Sequence, residues 1–189
     1  MIRAFIAVEL PDPLRQAVAA LQTTLREAER GITITWVEPA NLHFTLKFLG
    51  NIEEARIEGL NESLAVVARG HTPFMLQVEG LGTFPSTRHP RILWVGVTQG
   101  QEALAALAQV VEQACVSLRF PSEDRPFAPH LTIGRIRSPE RVAPRMIRLQ
   151  AVAVPAGPPV PVDHLTLFQS TLSSHGPTYR PLATIPLQS

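Results

Sequence analysis

The tetrapeptide His43-Phe44-Thr45-Leu46 returns as His130-Leu131-Thr132-Ile133, 87 residues further along the chain (43 to 130). Its surroundings return at about the same spacing. The first helical patterns of the two halves lie roughly 88 residues apart, and so do the apolar strands beginning at Phe74 and Val162. Three agreeing offsets mark a duplicated supersecondary unit rather than a chance tetrapeptide. The repeats run roughly over residues 1–88 and 89–189. A 189-residue chain is long enough to bury a substantial core.

Each repeat reads strand, helix, loop, His-x-Thr strand, helix, strand. In the first, Ile2 to Val8 is a short strand, and Asp12 before Pro13 is an N-cap signal. Leu14, Val18, Leu21 and Leu25 recur at helical spacing, and Gly31 stops that helix. Ile32, Ile34 and Trp36 alternate as a strand. The motif strand runs from Leu42 to Leu49, a helix from Glu53 to Ala68, and a strand through Phe74, Leu76 and Val78. In the second repeat, Arg91 to Val97 reads as strand and Gln101 to Leu118 as helix. The second motif strand is His130 to Arg137. A broken helical stretch with Pro139 and Pro144, a Pro-rich linker from Val154 to Val160, and strands at Val162–Phe168 and Tyr179–Ile185 complete it. Each half has too few strands to stand alone. The pattern predicts a bilobal α+β fold: two antiparallel or mixed sheets face a central cleft, with helices outside. The last strand crosses back to complete one sheet.

On a strand, residues two apart share a face, about 6–7 Å apart along the chain. His43 and Thr45 then point one way, while Phe44, Leu46 and Phe48 pack the opposite face into the core. The same holds for His130 and Thr132 over Leu131 and Ile133. One neutral imidazole can take a proton from water while a second, protonated, gives one to a leaving oxygen. Threonine hydroxyls can donate to phosphate oxygens. This chemistry needs no metal or other cofactor. Two histidines without a nearby carboxylate or cysteine would also make a poor metal site, and Glu38 and Asp124 lack ligand spacing. The lone lysine, Lys47, falls on the His43/Thr45 face by strict alternation and is a candidate phosphate contact. His71, His89, His164 and His175 sit in loops or strand flanks without evident partners.

A net charge of +1 gives no global case for coating nucleic acid. The single cysteine, Cys115, cannot form an internal disulfide, which suits a reducing cytoplasm. The run Ala4 to Val8, cut off by Glu9, is too short for a membrane span or a signal core. These features describe a cytoplasmic protein with no membrane partner. A cleft complete within one chain makes a monomer the default.

The segment Trp36 to Gly50, WVEPANLHFTLKFLG, taken with Phe127-Ala128-Pro129-His130-Leu131-Thr132-Ile133-Gly134-Arg135, resembles the 2H phosphoesterase superfamily. It is most similar to the RNA 2′,3′-cyclic phosphodiesterase branch, also called 2′-5′ RNA ligase. Arg3 to Val8 and Tyr179 to Pro186 fit the same pattern, so the resemblance spans essentially the whole chain. It implies hydrolysis of a terminal 2′,3′-cyclic phosphate on RNA to a 2′-phosphomonoester. It further implies His43 as acid, His130 as base, and Thr45 and Thr132 as holders of the non-bridging oxygens. The family also points to Arg135, which strict alternation puts on the wrong face unless Gly134 permits a bulge. The basic run Arg135, Arg137, Arg141, Arg145 and Arg148 is a candidate guide for an RNA backbone. Phe5, Trp36 and Tyr179 are candidates to stack a terminal base, with core packing the default for Phe5 and Trp36. Two alternatives stay open: ligation, the same chemistry reversed, and a module that binds nucleotides or RNA ends without turnover.

Overall fold

The computed structural model describes residues 1–137, 142–152, 154, 156–174 and 176–188. Pro139, Arg141 and His175 therefore lie outside the described residues. Nine strands and four α-helices follow in chain order among the described residues: β1 (Ile2–Glu9), α1 (Asp12–Ala28), β2 (Ile34–Trp36), β3 (His43–Ile52), α2 (Ile57–Arg69), β4 (Phe74–Phe84), β5 (Ile92–Gln99), α3 (Gln101–Ser117), β6 (His130–Ile136), α4 (Ala143–Gln150), β7 (Val160–Val162), β8 (His164–Ser173) and β9 (Gly176–Pro186). All strand pairings are antiparallel. One sheet has the order β3-β1-β8-β9 and the other β2-β6-β5-β4-β7.

The α+β architecture with two sheets is the one the repeat predicts, but the sheets do not follow the halves of the chain. β8, from the second half, pairs with β1. β4, from the first half, pairs with β5. Each sheet is thus a motif strand, an opening strand and a strand contributed by the other half: β3-β1-β8 and β6-β5-β4. Not only the last strand but the hairpin β8–β9 crosses back.

The helices form because their apolar residues recur on one stripe. Leu14, Val18 and Leu25 of α1, Leu60, Leu64 and Ala68 of α2, and Leu104, Leu107, Val111 and Cys115 of α3 are all buried. They pack on the sheet faces that carry Ala4, Ile6 and Val8 of β1 and Leu93, Val95 and Val97 of β5 in one continuous core. The α1 start differs from the expected cap. Pro11 is the N-cap, and Asp12 lies in the first turn, where its carboxylate accepts from Arg15 at 2.8 Å. At the start of α3, Gly100 adopts φ +76° and lies so close to the Met75 carbonyl that a Cβ would sit 2.3 Å from it, so only glycine fits there.

Gln22 is the polar exception on the buried stripe of α1. Its Nε2 donates to the carbonyls of Val37 (2.8 Å) and Ile133 (2.9 Å), while Val37 N also donates to Ile133 O (3.0 Å). One amide thereby ties the first helix, the end of β2 and the second motif strand. Replacing Gln22 by Leu takes this donor from the Val37 carbonyl in an apolar setting, while Ile133 O keeps the bond from Val37 N. The expected cost is about 2 kcal/mol, read as a lower denaturant midpoint at unchanged slope.

Candidate active site

His43 and His130 are the first residues of β3 and β6 and are held alike. His43 Nδ1 lies 2.8 Å from the Asn41 carbonyl, and His130 Nδ1 lies 2.7 Å from that of Ala128. A carbonyl only accepts, so each Nδ1 carries the hydrogen and each Nε2 is left for the cleft. The Asn41 side chain in turn donates to the Pro177 carbonyl at 2.8 Å, fixing the turn before β3 against the start of β9. Thr45 and Thr132 are half-buried on the same strand faces as their histidines.

Both rings sit in aromatic surroundings. Phe5 lies under His43 at 4.8 Å between centroids, and Tyr179 meets it edge-on at 5.2 Å. On the other side, Phe84 meets His130 edge-on at 4.9 Å and Trp94 lies at 6.4 Å. Phe5 is stacked on Phe168 at 5.2 Å, whereas Trp94 fills the space over Gly82, where a Cβ would clash with its ring. Phe84, Trp94 and Phe168 were not singled out from sequence. Their signal is only that each alternates onto the motif-facing side of its strand.

Phe5 is 2% exposed. It is the floor beneath His43, with no free face to offer a base, and so does not serve the substrate-stacking role considered for it. Trp36 is also turned away: it packs against the core and under the Arg26 guanidinium on α1, 5.2 Å from the ring. Tyr179 remains half-exposed at the cleft. Burial pushes its phenol up, while Arg135 and Arg3 pull the other way. Arg135 from one sheet therefore faces Tyr179 of the other.

Strict alternation fails in both motif strands, and the failure moves three side chains. In β3, Ala7 pairs with Thr45 but Ile6 with Lys47, leaving Leu46 as an extra residue. This is a β-bulge, with two residues opposing one. Past it, Lys47 lies on the core side with Ile6, and Phe48 turns to the site face opposite Phe5. Lys47 is 2% exposed; its Nζ contacts Glu112 at 2.7 Å, Glu123 at 3.6 Å and the Pro121 carbonyl at 2.7 Å. The expectation that Lys47 contacts phosphate is therefore corrected: its ammonium is on the other side of the sheet. Phe48, expected in the core, is 58% exposed, with its ring 6.2 Å from Phe5.

In β6, Trp94 pairs with Thr132 and Leu93 with Gly134, so Ile133 is the extra residue. Arg135 then falls opposite Ile92, on the site face. Gly134 contributes room rather than unusual backbone, since a Cβ there would sit 2.6 Å from Ile34 Cγ2. The bulges are equivalent, so Phe48 and Arg135 occupy matching places in the two lobes. Of the basic run, Arg145 and Arg148 pair with Glu29, and Arg137 donates to Thr35 Oγ1.

Burial lowers the His43 pKa from the usual histidine value, against the hydrogen bond to the Asn41 carbonyl and the charge of Glu9, which raise it. The Cys115 thiol, beside the Lys47 pair, is pushed up to about 11, chiefly by burial, so it stays protonated and is no nucleophile. No three His, Cys, Asp or Glu side chains gather as a metal site among the described residues. No helix among them is long and apolar enough to cross a membrane.

Two imidazoles anchored alike through Nδ1, each sharing a strand face with a threonine, suit proton transfer at a phosphate. The chain matches the LigT-like phosphoesterase family over residues 8–94 and again over 95–179, and it belongs to that family. An RNA 2′,3′-cyclic phosphodiesterase of Methanothermobacter thermautotrophicus is 35% identical over 94% of this chain and 95% of its own length. One from Aquifex aeolicus is 33% identical over 95% of this chain and 94% of its own. The solved structure of TT0787 from Thermus thermophilus superposes with a TM-score of 0.81 at 31% identity, over 100% of this chain and 99% of that one. That of E. coli LigT complexed with 3′-AMP gives 0.77 at 26%, with the same coverage.

Replacing Lys47 by Ala leaves Glu112 without its partner and opens the packing around it. We expect a loss of about 3 kcal/mol in folding free energy. Turnover per folded molecule should stay within about twofold, because no substrate contact is removed. Denaturant melts alongside steady-state rates check both.

Proposed function

We propose that this chain is an enzyme that hydrolyses the 2′,3′-cyclic phosphate at an RNA end to a 2′-phosphomonoester. His43 serves as general acid and His130 as general base, without a metal. The observation that carries the reading is the matched pair of imidazoles, each anchored through Nδ1 to a carbonyl two residues back, which leaves Nε2 for proton transfer. The named activity of the relatives supports the choice of substrate. So does the nucleoside monophosphate bound to E. coli LigT.

In this reaction His130 Nε2 takes a proton from water as its oxygen attacks phosphorus. The bond from phosphorus to the 3′ oxygen breaks, and His43 Nε2–H gives that oxygen its proton. Thr45 and Thr132 donate to the non-bridging oxygens, and Arg135 offsets their charge from the site face of β6. The two histidines end with exchanged protonation states and are reset through solvent. Because both motifs come from one chain, a monomer suffices. An RNA substrate and a lone reduced cysteine fit the cytoplasm.

The test is incubation with an RNA oligomer ending in a 2′,3′-cyclic phosphate, with chelator present. A 2′-phosphate product is expected. A 3′-phosphate would reverse the order in which the histidines address the two ester oxygens. Joining to a 5′-hydroxyl RNA, or tight binding without turnover, would overturn hydrolysis in favour of ligation or a binding module. His43→Ala and His130→Ala should each lower kcat by about 10²- to 10⁴-fold with the fold intact. Near-wild-type turnover in either would sink the two-histidine mechanism. Activity should fall as pH rises, because the acid His43, its pKa already lowered by burial, loses its proton.

A further inference from the structure

The cleft is nearly two-fold symmetric, yet its histidines must do opposite things. The strand register breaks the symmetry. Opposite His130 on β5 stands Gly96. Opposite His43 on β1 stands Glu9. Residues facing each other across an antiparallel pair lie about 4.5–5.5 Å apart at Cα, so only one of the two imidazoles has a carboxylate as its cross-strand neighbour.

Glu9 is itself held. A third His-x-Thr unit, His164-Leu165-Thr166, lies on β8, which flanks β1 on the side away from β3. Thr166 pairs with Ala7 and is fully buried, and its Oγ1 donates to Glu9 Oε2 at 2.8 Å. His164 Nε2 lies 3.5 Å from the same oxygen, and its Nδ1 lies 2.6 Å from Asp163 Oδ1. His164, without evident partners in sequence, is thus clamped between two carboxylates. A buried hydroxyl spent on one carboxylate oxygen fixes that carboxylate in place.

We propose that Glu9, held by Thr166 and His164, is the positioning residue that makes His43 the acid of the pair. An acid must be loaded with a proton and must also give it up readily. Burial against Phe5 and Tyr179 makes the His43 cation a strong donor but opposes loading. A fixed negative charge one strand away works against that loss, and Gly96 offers His130 no such neighbour. Beside Glu9, the ionisable group packed on His43 is Tyr179 of β9, edge-on to its ring; Arg3 and Arg135 act on that tyrosine, and the turn before β3 contributes the Asn41 carbonyl. Among them Glu9 is the carboxylate whose charge favours the His43 cation. The kinetic consequence rests on the phosphodiesterase reading; the titration consequence does not.

The experiment is NMR titration of the histidine ring signals in the free protein, wild type against Glu9→Gln. The His43 midpoint should fall by about one pH unit, with that of His130 unmoved. Thr166→Val, which frees the carboxylate but keeps the shape, should move His43 the same way by less, and serves if Glu9→Gln does not fold. Glu9→Asp should restore most of the wild-type midpoint. With the cyclic-phosphate RNA, Glu9→Gln should lower kcat at neutral pH more than at acidic pH, where His43 stays protonated, at a KM within about twofold of wild type. An unmoved His43 midpoint overturns the proposal. Unchanged kcat at neutral pH in spite of a lowered His43 midpoint would overturn its assigned role as the acid. If the wild type turns out not to hydrolyse the RNA, the function reading fails, and the titration still decides the part given to Glu9.

Discussion

Strand β8 lies against β1 and β4 against β5, and the rest of the molecule depends on this exchange. Each sheet is completed by backbone hydrogen bonds from the other half of the chain, and the side chains under the helices form one main core, with Phe5, Ala7 and Phe168 a second, small cluster. Because β1 opens the chain and β8 lies near its end, the first sheet cannot be completed from the first half alone. The floor under His43 shows the point. Phe5 comes from the first half, and Phe168 and Tyr179 come from the second, so the first histidine rests on a surface that both halves build.

Much of this was legible in the residues, and the limits have a physical origin. The helices were readable because Leu14, Val18 and Leu25, or Leu104, Leu107 and Val111, repeat on a stripe that burial enforces. The motif strands and the α+β class followed from the same reasoning applied at period two. The partner of each strand did not, because local periodicity says which face is buried and nothing about which neighbour lies alongside. The Asp12 cap went wrong by one residue, since Pro11 already supplies an extended residue before the helix.

The bulges were the harder matter. Alternation put Lys47 on the reactive face and Phe48 in the core, and both are reversed. The clue was the step between buried apolar residues. Leu131 and Ile133 are two apart, but the next is Ile136; Leu46 is likewise followed by Leu49. A step of three within a strand marks an extra residue. In β6 Gly134 left that step visible, and Arg135 was open to being turned inward. In β3 the apolar Phe48 filled the gap and hid it. The third His-x-Thr unit, at His164, falls outside the repeat spacing, so the duplication does not point to it, although its hydroxyl and imidazole both reach the Glu9 carboxylate.

Two identical half-chains exchanging a strand could build a similar cleft, but the two histidines would then be equivalent by symmetry, each with the same neighbour across the strand. A single covalent chain removes that restriction. Once the halves are joined, position 9 can hold a carboxylate while its counterpart, position 96, holds no side chain at all. Fusion thus does more than raise the local concentration of two lobes. It turns a symmetric pair of motif strands into an asymmetric one, in which the two histidines have different neighbours.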